Sequence, residues 1–278
     1  MTDPVKEKFI DASEGEHGWQ IRYGAEPVDF HLFKKLGRKD IDKSIEAKGV
    51  TAGPGGVFNH NYIEILNPAG EVVKRVHGIG LEAKDGKLEM TGSGRLVGLV
   101  VDGKYTTFEN DDPIQRDDPH AKKPHNLQHA DETRMLRGEF TKTVFKGSER
   151  EVMEIYGAMI RGSIEINNKD IRFDLFGLNS NTFNAEMKEK VNQIAKLMGV
   201  EVGSHDAPGW DVGSDDKKID TADASRVKTW GLMSDLRDYI DALEQTSHKQ
   251  WLELNQAAKN GKDILDVNLQ IPAPTPIK

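Results

Sequence analysis

The stretch from Leu175 to Phe183 holds the residues best placed to do chemistry in this chain. An apolar extended run stops at Gly177, passes through Asn179-Ser180-Asn181-Thr182, and opens into a periodic helix. A small hydroxyl at a helix N-terminus lies where unpaired backbone N–H groups favour negative charge. Ser180 is therefore the candidate nucleophile. Asn179 and Asn181 shape the loop, and the N–H groups of the helix opening at Asn181 would stabilise a developing oxyanion. A lone hydroxyl is a weak nucleophile at neutral pH and needs a base.

Two upstream histidines could supply that base and its orienting partner. Val57 to Leu66 and Glu71 to Ile79 read as strands joined by Asn67-Pro68-Ala69-Gly70, with Pro and Gly where a type I turn takes them. If Asn67 faces Gly70 without a bulge, the register sets His60 opposite His77. Facing side chains lie about 4.5–5.5 Å apart at Cβ and share a face. His60 would then act as general base and His77 as orienter. Each residue also has a structural reading. Ser or Asn before a helix is a common cap, His60 beside Tyr62 suits a half-buried satisfied histidine, and His77 before Gly78 could simply end its strand.

The elements that must position these groups read as follows. Residues 1–50 look irregular, with short helices around Phe30, Phe33 and Leu36. Lys87 to Thr91 and Arg95 to Val101 are strands, and Asp102-Gly103 is a hairpin signal into Lys104 to Phe108. Residues 109–137 form a polar insertion. Ser148 and Glu151 make a capping box, and Val152, Ile155, Tyr156, Met159 and Ile160 share one helix face. Ile171 to Phe176 reads as a short strand. Phe183, Met187, Val191, Ile194, Ala195 and Met198 recur at helical spacing, ended by Gly199. A Gly- and Asp-rich loop over 203–224 precedes helical patterns at Trp230 to Leu243 and Trp251 to Ala258, and the tail from Ile271 to Pro276 looks extended and loose.

Strands followed by helices, with little alternation, define an α+β class: a small antiparallel sheet packed against helices. Residues 1–200 form the main domain and 201–278 a loop and helical C-terminal extension. The series Trp230, Met233, Leu236, Ile240 and Leu243 could dock a protein partner, although core packing is the favoured reading.

Composition narrows the function. A net charge of −8 without a long basic stripe argues against a nucleic-acid binder. No apolar run is long enough for a transmembrane segment. The first residues lack a secretory pattern, so synthesis in the cytoplasm is expected, and export by a signal-independent secretion system stays open. The chain has no cysteine, which removes disulfides, thiolate metal sites and a thiol nucleophile. His120, His125 and His129 fit a solvated loop better than a metal site, because no HExxH pattern accompanies them. Asp206, Asp211, Asp215 and Asp216 lack the spacing of an EF-hand loop. Gly53-Pro54-Gly55-Gly56 has no Gly-Lys-Ser/Thr to make it a phosphate loop. No metal and no cofactor is expected.

A histidine on an early strand, a second polar residue on the next, and Asn179-Ser180-Asn181-Thr182-Phe183 at a helix start resemble the circularly permuted papain-like proteins. That group includes the permuted NlpC/P60, lecithin-retinol-acyltransferase-like and deSUMOylase-like families. The resemblance spans roughly residues 50–200. It implies that His60 matches the base, His77 the third polar residue and Ser180 the nucleophile position. It further implies hydrolysis or acyl transfer at amide or ester bonds, in a peptide, a peptidoglycan stem or a lipid. Bacterial members are often toxins or cell-wall enzymes, which extends the implication to an exported antibacterial effector. The departure is Ser180, which stands where the family carries Cys; a hydroxyl ionises far less readily than a thiol. A serine introduced to trap an inactive enzyme, a working serine variant and a retired enzyme that binds all stay open. The rival function is accordingly a catalytically inactive binding or structural protein of the same fold.

Overall fold

The computed structural model describes residues 18–27, 59–90, 93–101, 140–174, 178–200, 202, 219, 221 and 232–275. Within them a six-stranded antiparallel sheet packs with three helices, an α+β architecture. The strands are β1 (Trp19–Pro27), β2 (Asn59–Leu66), β3 (Val72–Lys84), β4 (Lys87–Met90), β5 (Arg95–Val101) and β6 (Phe140–Gly147). The helices are α1 (Glu149–Asn167), α2 (Ser180–Leu197) and α3 (Met233–Lys259). No described helix is long and apolar enough to cross a membrane.

The sheet runs β4-β3-β2-β1-β6, with β5 also on β3. At thirteen residues, β3 has room for three partners. It meets β2 through Val72–Val76, β5 through Arg75–Leu81 and β4 through Leu81–Lys84. β1 lies inside the sheet between β2 and β6, a correction to the irregular reading of the first fifty residues. β3 also runs on to Lys84, past the expected end at Ile79. There Asp85 and Gly86 both take positive φ, 51° and 75°, the geometry of a two-residue hairpin turn.

The β2–β3 register departs from the bulge-free expectation, and the turn supplies the reason. The Gly70 N–H donates to the Asn67 carbonyl at 2.9 Å, while the Asn67 N–H donates to the Glu71 carbonyl at 3.0 Å. Gly70, at φ 80°, is thus an extra residue beside a type I turn, the arrangement of a glycine bulge. A second shift falls between Ile65 and Leu66. The resulting pairs are Ile63↔Val76, Glu64↔Arg75 and Ile65↔Lys74. His60 and His77 do not face one another: His77 has Leu99 across from it on β5, and His60 has Glu26 on β1.

Side chains alternate across a strand, so the sheet has two distinct faces. One carries Ile21, Tyr23, Ile63, Ile65, Val76 and Leu96, which share a core with α1, α2 and the first half of α3. The opposite face carries Ile79, Leu81, Leu88, Val97 and Leu99, which pack with Trp251, Leu254 and Ala258 from the second half of α3, and with Ile264 and Leu269. The α3 helix therefore passes from one face to the other, and one 27-residue helix replaces the two patterns expected there. Leu236, Ile240 and Leu243 lie in the core, as the packing reading of that series held. The segment after Lys259 is also docked. Leu269 is fully buried, Ala273 packs on the first core, and the Asn168 carboxamide bonds both the N–H and carbonyl of Ile271. The loose tail expected from Ile271 onward is corrected as far as Ala273.

Strand β5 would leave backbone groups unpaired on the side away from β3. The Asn167 side chain answers them, accepting from the Gly98 N–H at 2.7 Å and donating to the Gly98 carbonyl at 3.0 Å. Just beyond, the Leu96 N–H donates to Ile171 and the Phe173 N–H donates to Gly94. The expected strand from Ile171 is, among the described residues, this single bridge of Arg172 to Arg95.

Candidate functional site

The start of α2 is fixed by three contacts. The first is its cap. Asn179 has extended backbone, and its Oδ1 accepts from the Asn181 N–H at 2.9 Å and the Thr182 N–H at 3.2 Å. The Thr182 hydroxyl accepts in return from the Asn179 N–H at 3.4 Å, closing a reciprocal box. The second is Phe183, fully buried. Its ring occupies space over Gly78 and Gly98, where an added Cβ would lie 2.6 Å and 2.3 Å from it. These glycines face each other across β3 and β5, leaving a hollow in the sheet that the ring fills. The third is Asn184, whose Nδ2 donates to the Asn61 carbonyl of β2 at 2.5 Å and to the Ser180 carbonyl at 2.7 Å. One carboxamide thereby ties the second sheet strand to the helix start.

Ser180 is the first helical residue, half-buried, and the cap is Asn179. No hydrogen bond joins the Ser180 hydroxyl or its N–H to another described residue. The box changes the oxyanion expectation, because the Asn181 and Thr182 N–H groups are already engaged by Asn179. Of the first three helical N–H groups, only that of Ser180 is uncommitted.

Asn61 follows His60 in β2 and shares the alternation of Ile63 and Ile65, so it belongs to the face that α2 covers. Its side chain is fully buried, and neither Oδ1 nor Nδ2 has a hydrogen-bond partner among the described residues. The Oδ1 of Asn184, also fully buried, is likewise without a partner among the described residues. The Asn184 orientation is fixed by its two bonds, since a flipped amide would set its oxygen against two carbonyl oxygens. Tyr23, buried in the same core, has its phenol pushed far above the usual range by burial, with the charge of Glu189 adding to the effect. It therefore stays protonated at neutral pH.

The sequence-predicted residues are only partly gathered. Ser180, Asn179 and Asn181 meet at the helix start. His60 enters as the strand residue before Asn61. His77 is corrected: it lies beside Gly78 in β3, and Gly78 faces Phe183, so alternation points the His77 side chain to the opposite face of the sheet. It cannot orient a base at Ser180. Asn61 and Asn184 were missed. The signal for Asn184 was present, since it follows Ser180 by one helical turn; that for Asn61 needed the sheet faces.

Among the described residues, no group of three or more His, Asp or Glu could hold a metal ion. His120, His125, His129, the Asp206–Asp216 loop, Gly53–Gly56 and Trp230 lie outside the described residues. Fold and site together define an α+β protein with a carboxamide-lined helix start. No family model matches the chain, and no curated protein or solved structure matches it.

Proposed function

We propose that the start of α2 is a ligand-binding site and that this α+β chain is a binding protein. The observation that supports this reading is Asn61. A buried carboxamide without partners costs about 1–3 kcal/mol per unsatisfied group, and a folded protein that keeps one does so for a reason, of which a bound ligand or water is the commonest kind of remedy. The groups at the helix start are Ser180, Asn179, Asn181, Thr182 and Asn184, and Asn184 joins them to the Asn61 carbonyl. All can hydrogen-bond a ligand, and none exchanges a proton readily near neutral pH.

A second reading is hydrolysis or acyl transfer at an amide or ester bond of a peptide, peptidoglycan stem or lipid. One observation favours it: the half-buried Ser180 hydroxyl makes no hydrogen bond to another described residue. That chemistry would rest on Ser180 with a base other than His77, and alternation gives Asn61 rather than residue 60 the face that α2 covers.

The two readings separate by experiment. The chain, Ser180→Cys and Ser180→Ala are each incubated with peptidoglycan, peptide and ester substrates, while backbone resonances of 179–184 are followed by NMR. The binding reading expects shifts at the helix start that survive Ser180→Ala, with no turnover. Turnover by Ser180→Cys that is absent from Ser180→Ala would establish the catalytic reading instead. Unmoved resonances with every substrate would remove the binding reading.

A further inference from the structure

We propose that the ligand of this site is recognised through a secondary amide, the N–H and C=O of a peptide-type bond, in preference to an ester or an anion. The inference rests on the binding site proposed above and specifies its ligand chemistry. A helix N-terminus ordinarily attracts anions through its free N–H groups. Here the Asn179 box has consumed two of them, leaving the Ser180 N–H. Among the described residues, the unpartnered buried groups of Asn61 and Asn184 are of mixed kind. Asn61 Oδ1 and Asn184 Oδ1 accept, and Asn61 Nδ2 donates.

An anion would satisfy Asn61 Nδ2 and meet two carbonyl oxygens with nothing to donate. An ester has the same deficiency. An ammonium group would satisfy the two oxygens, leave Nδ2 unbonded, and sit against the positive end of the helix dipole. A secondary amide supplies a donor and an acceptor on one rigid, neutral plane. In a trans amide these point from opposite edges, so Asn61 Nδ2 would donate to the ligand carbonyl while Asn184 Oδ1 accepts from its N–H, and because both amide atoms of Asn61 are unbonded either orientation of that side chain leaves its Nδ2 available. Ser180, whose carbonyl shares the Asn184 Nδ2 with the Asn61 carbonyl, is half-buried and is the member of this cluster that reaches solvent.

The test uses the full chain, labelled with nitrogen-15, and four probes of matched size. They are N-methylacetamide, N,N-dimethylacetamide, methyl acetate and the acetate anion. The methylamide is expected to shift the side-chain NH2 signals of Asn61 and Asn184 and to bind at least about tenfold more tightly than the other three, the scale set by one buried hydrogen bond to an otherwise unpaired group. The variant Asn61→Leu is expected to lose that preference while melting at the same or a higher temperature, because an apolar side chain of similar size removes the unbonded amide. Equal affinity for the methylamide and the ester would overturn the amide assignment and leave the site standing. Silence from all four probes, with Asn61→Leu destabilised, would overturn both, and would mean that the carboxamide serves the fold through a buried water.

Discussion

At the scale of single residues, the tightest constraint lies between Phe183 and the two glycines beneath it. Ala at position 98 would bring its Cβ within 2.3 Å of both the Phe183 ring and the Ser163 hydroxyl. Neither can retreat, since both are fully buried. Gly98→Ala should therefore cost about 1–3 kcal/mol, the usual range for overpacking a core. Adding Phe183→Leu should return part of it, because the smaller side chain vacates the hollow. Denaturant titration of the two single variants and the double variant measures the coupling, and strict additivity would mean that the ring is not what the glycines accommodate. Glu154 gives a pH-dependent case. Burial lifts its carboxyl above the usual 4.5; Arg150 opposes the lift and Glu151 adds to it. The folded chain then holds this proton after the unfolded chain has lost it, so stability falls as pH climbs from the ordinary value through the raised one. Glu154→Gln should match the parent near pH 4 and exceed it in melting temperature at pH 7, and equal melting at both pH values would contradict the assignment.

At the scale of elements, α2 depends on Asn179 and little on Ser180 for its start. Asn179→Ala should cost about 1 kcal/mol, the usual worth of an N-cap, whereas Ser180→Ala should leave the melting temperature nearly unchanged. If Ser180→Ala is the more damaging, the hydroxyl holds the fold together and the free-hydroxyl description fails. Much of this level was legible beforehand. The Ser148 box, the faces of α1 and α2, and strands β4 and β5 follow directly from spacing. Strand β1 also carries a period-2 signal, with Trp19, Ile21 and Tyr23 against Gln20 and Arg22, yet it is easily passed over so far from the hairpin it joins. Strand β6 is less readable, because Val144 and Phe145 are adjacent and both buried. The cause is a register shift between Ile21 and Arg22 that leaves Val144 without a Cα partner on β1. The β2–β3 register was the costliest error. Position rules identify a turn at Asn67–Gly70, but Gly70 as a bulge and the further shift near Leu66 are set by twist and packing across the sheet. Those shifts decided where the histidines fell. The partner that the helix start met, Asn61, became visible only once the two sheet faces were known.

Across the whole molecule, the C-terminal segment works as a clasp on the sheet edge, and Arg95 is the group it closes on. The Arg95 side chain is fully buried in β5. Its Nη1 donates to the carbonyls of Ile264 at 3.0 Å and Val267 at 2.5 Å, and its Nη2 donates to Asn167 at 2.6 Å and pairs with Asp170. Burial lowers its pKa from the usual value, with Asp170 pulling the other way. A buried cation that loses its partners costs about 3–5 kcal/mol. Ending the chain after Lys262 removes two of its carbonyl acceptors and uncovers the second core by taking away Ile264 and Leu269, each worth about 1.5–3 kcal/mol when fully buried. The truncated chain should therefore melt well below the parent. Hydrogen exchange should quicken first in β4, β5 and the second half of α3, while β1, β2 and α2 stay protected. Arg95→Met separates the two contributions. In the full chain it should destabilise, because carbonyls of Ile264, Val267 and Asn167 lose their donor. In the truncated chain it should be neutral or stabilising, because it removes a charge left without two of its acceptors. The same cost in both backgrounds would mean that Arg95 serves Asn167 and Asp170 alone, and that the tail packs on the sheet without being latched to it.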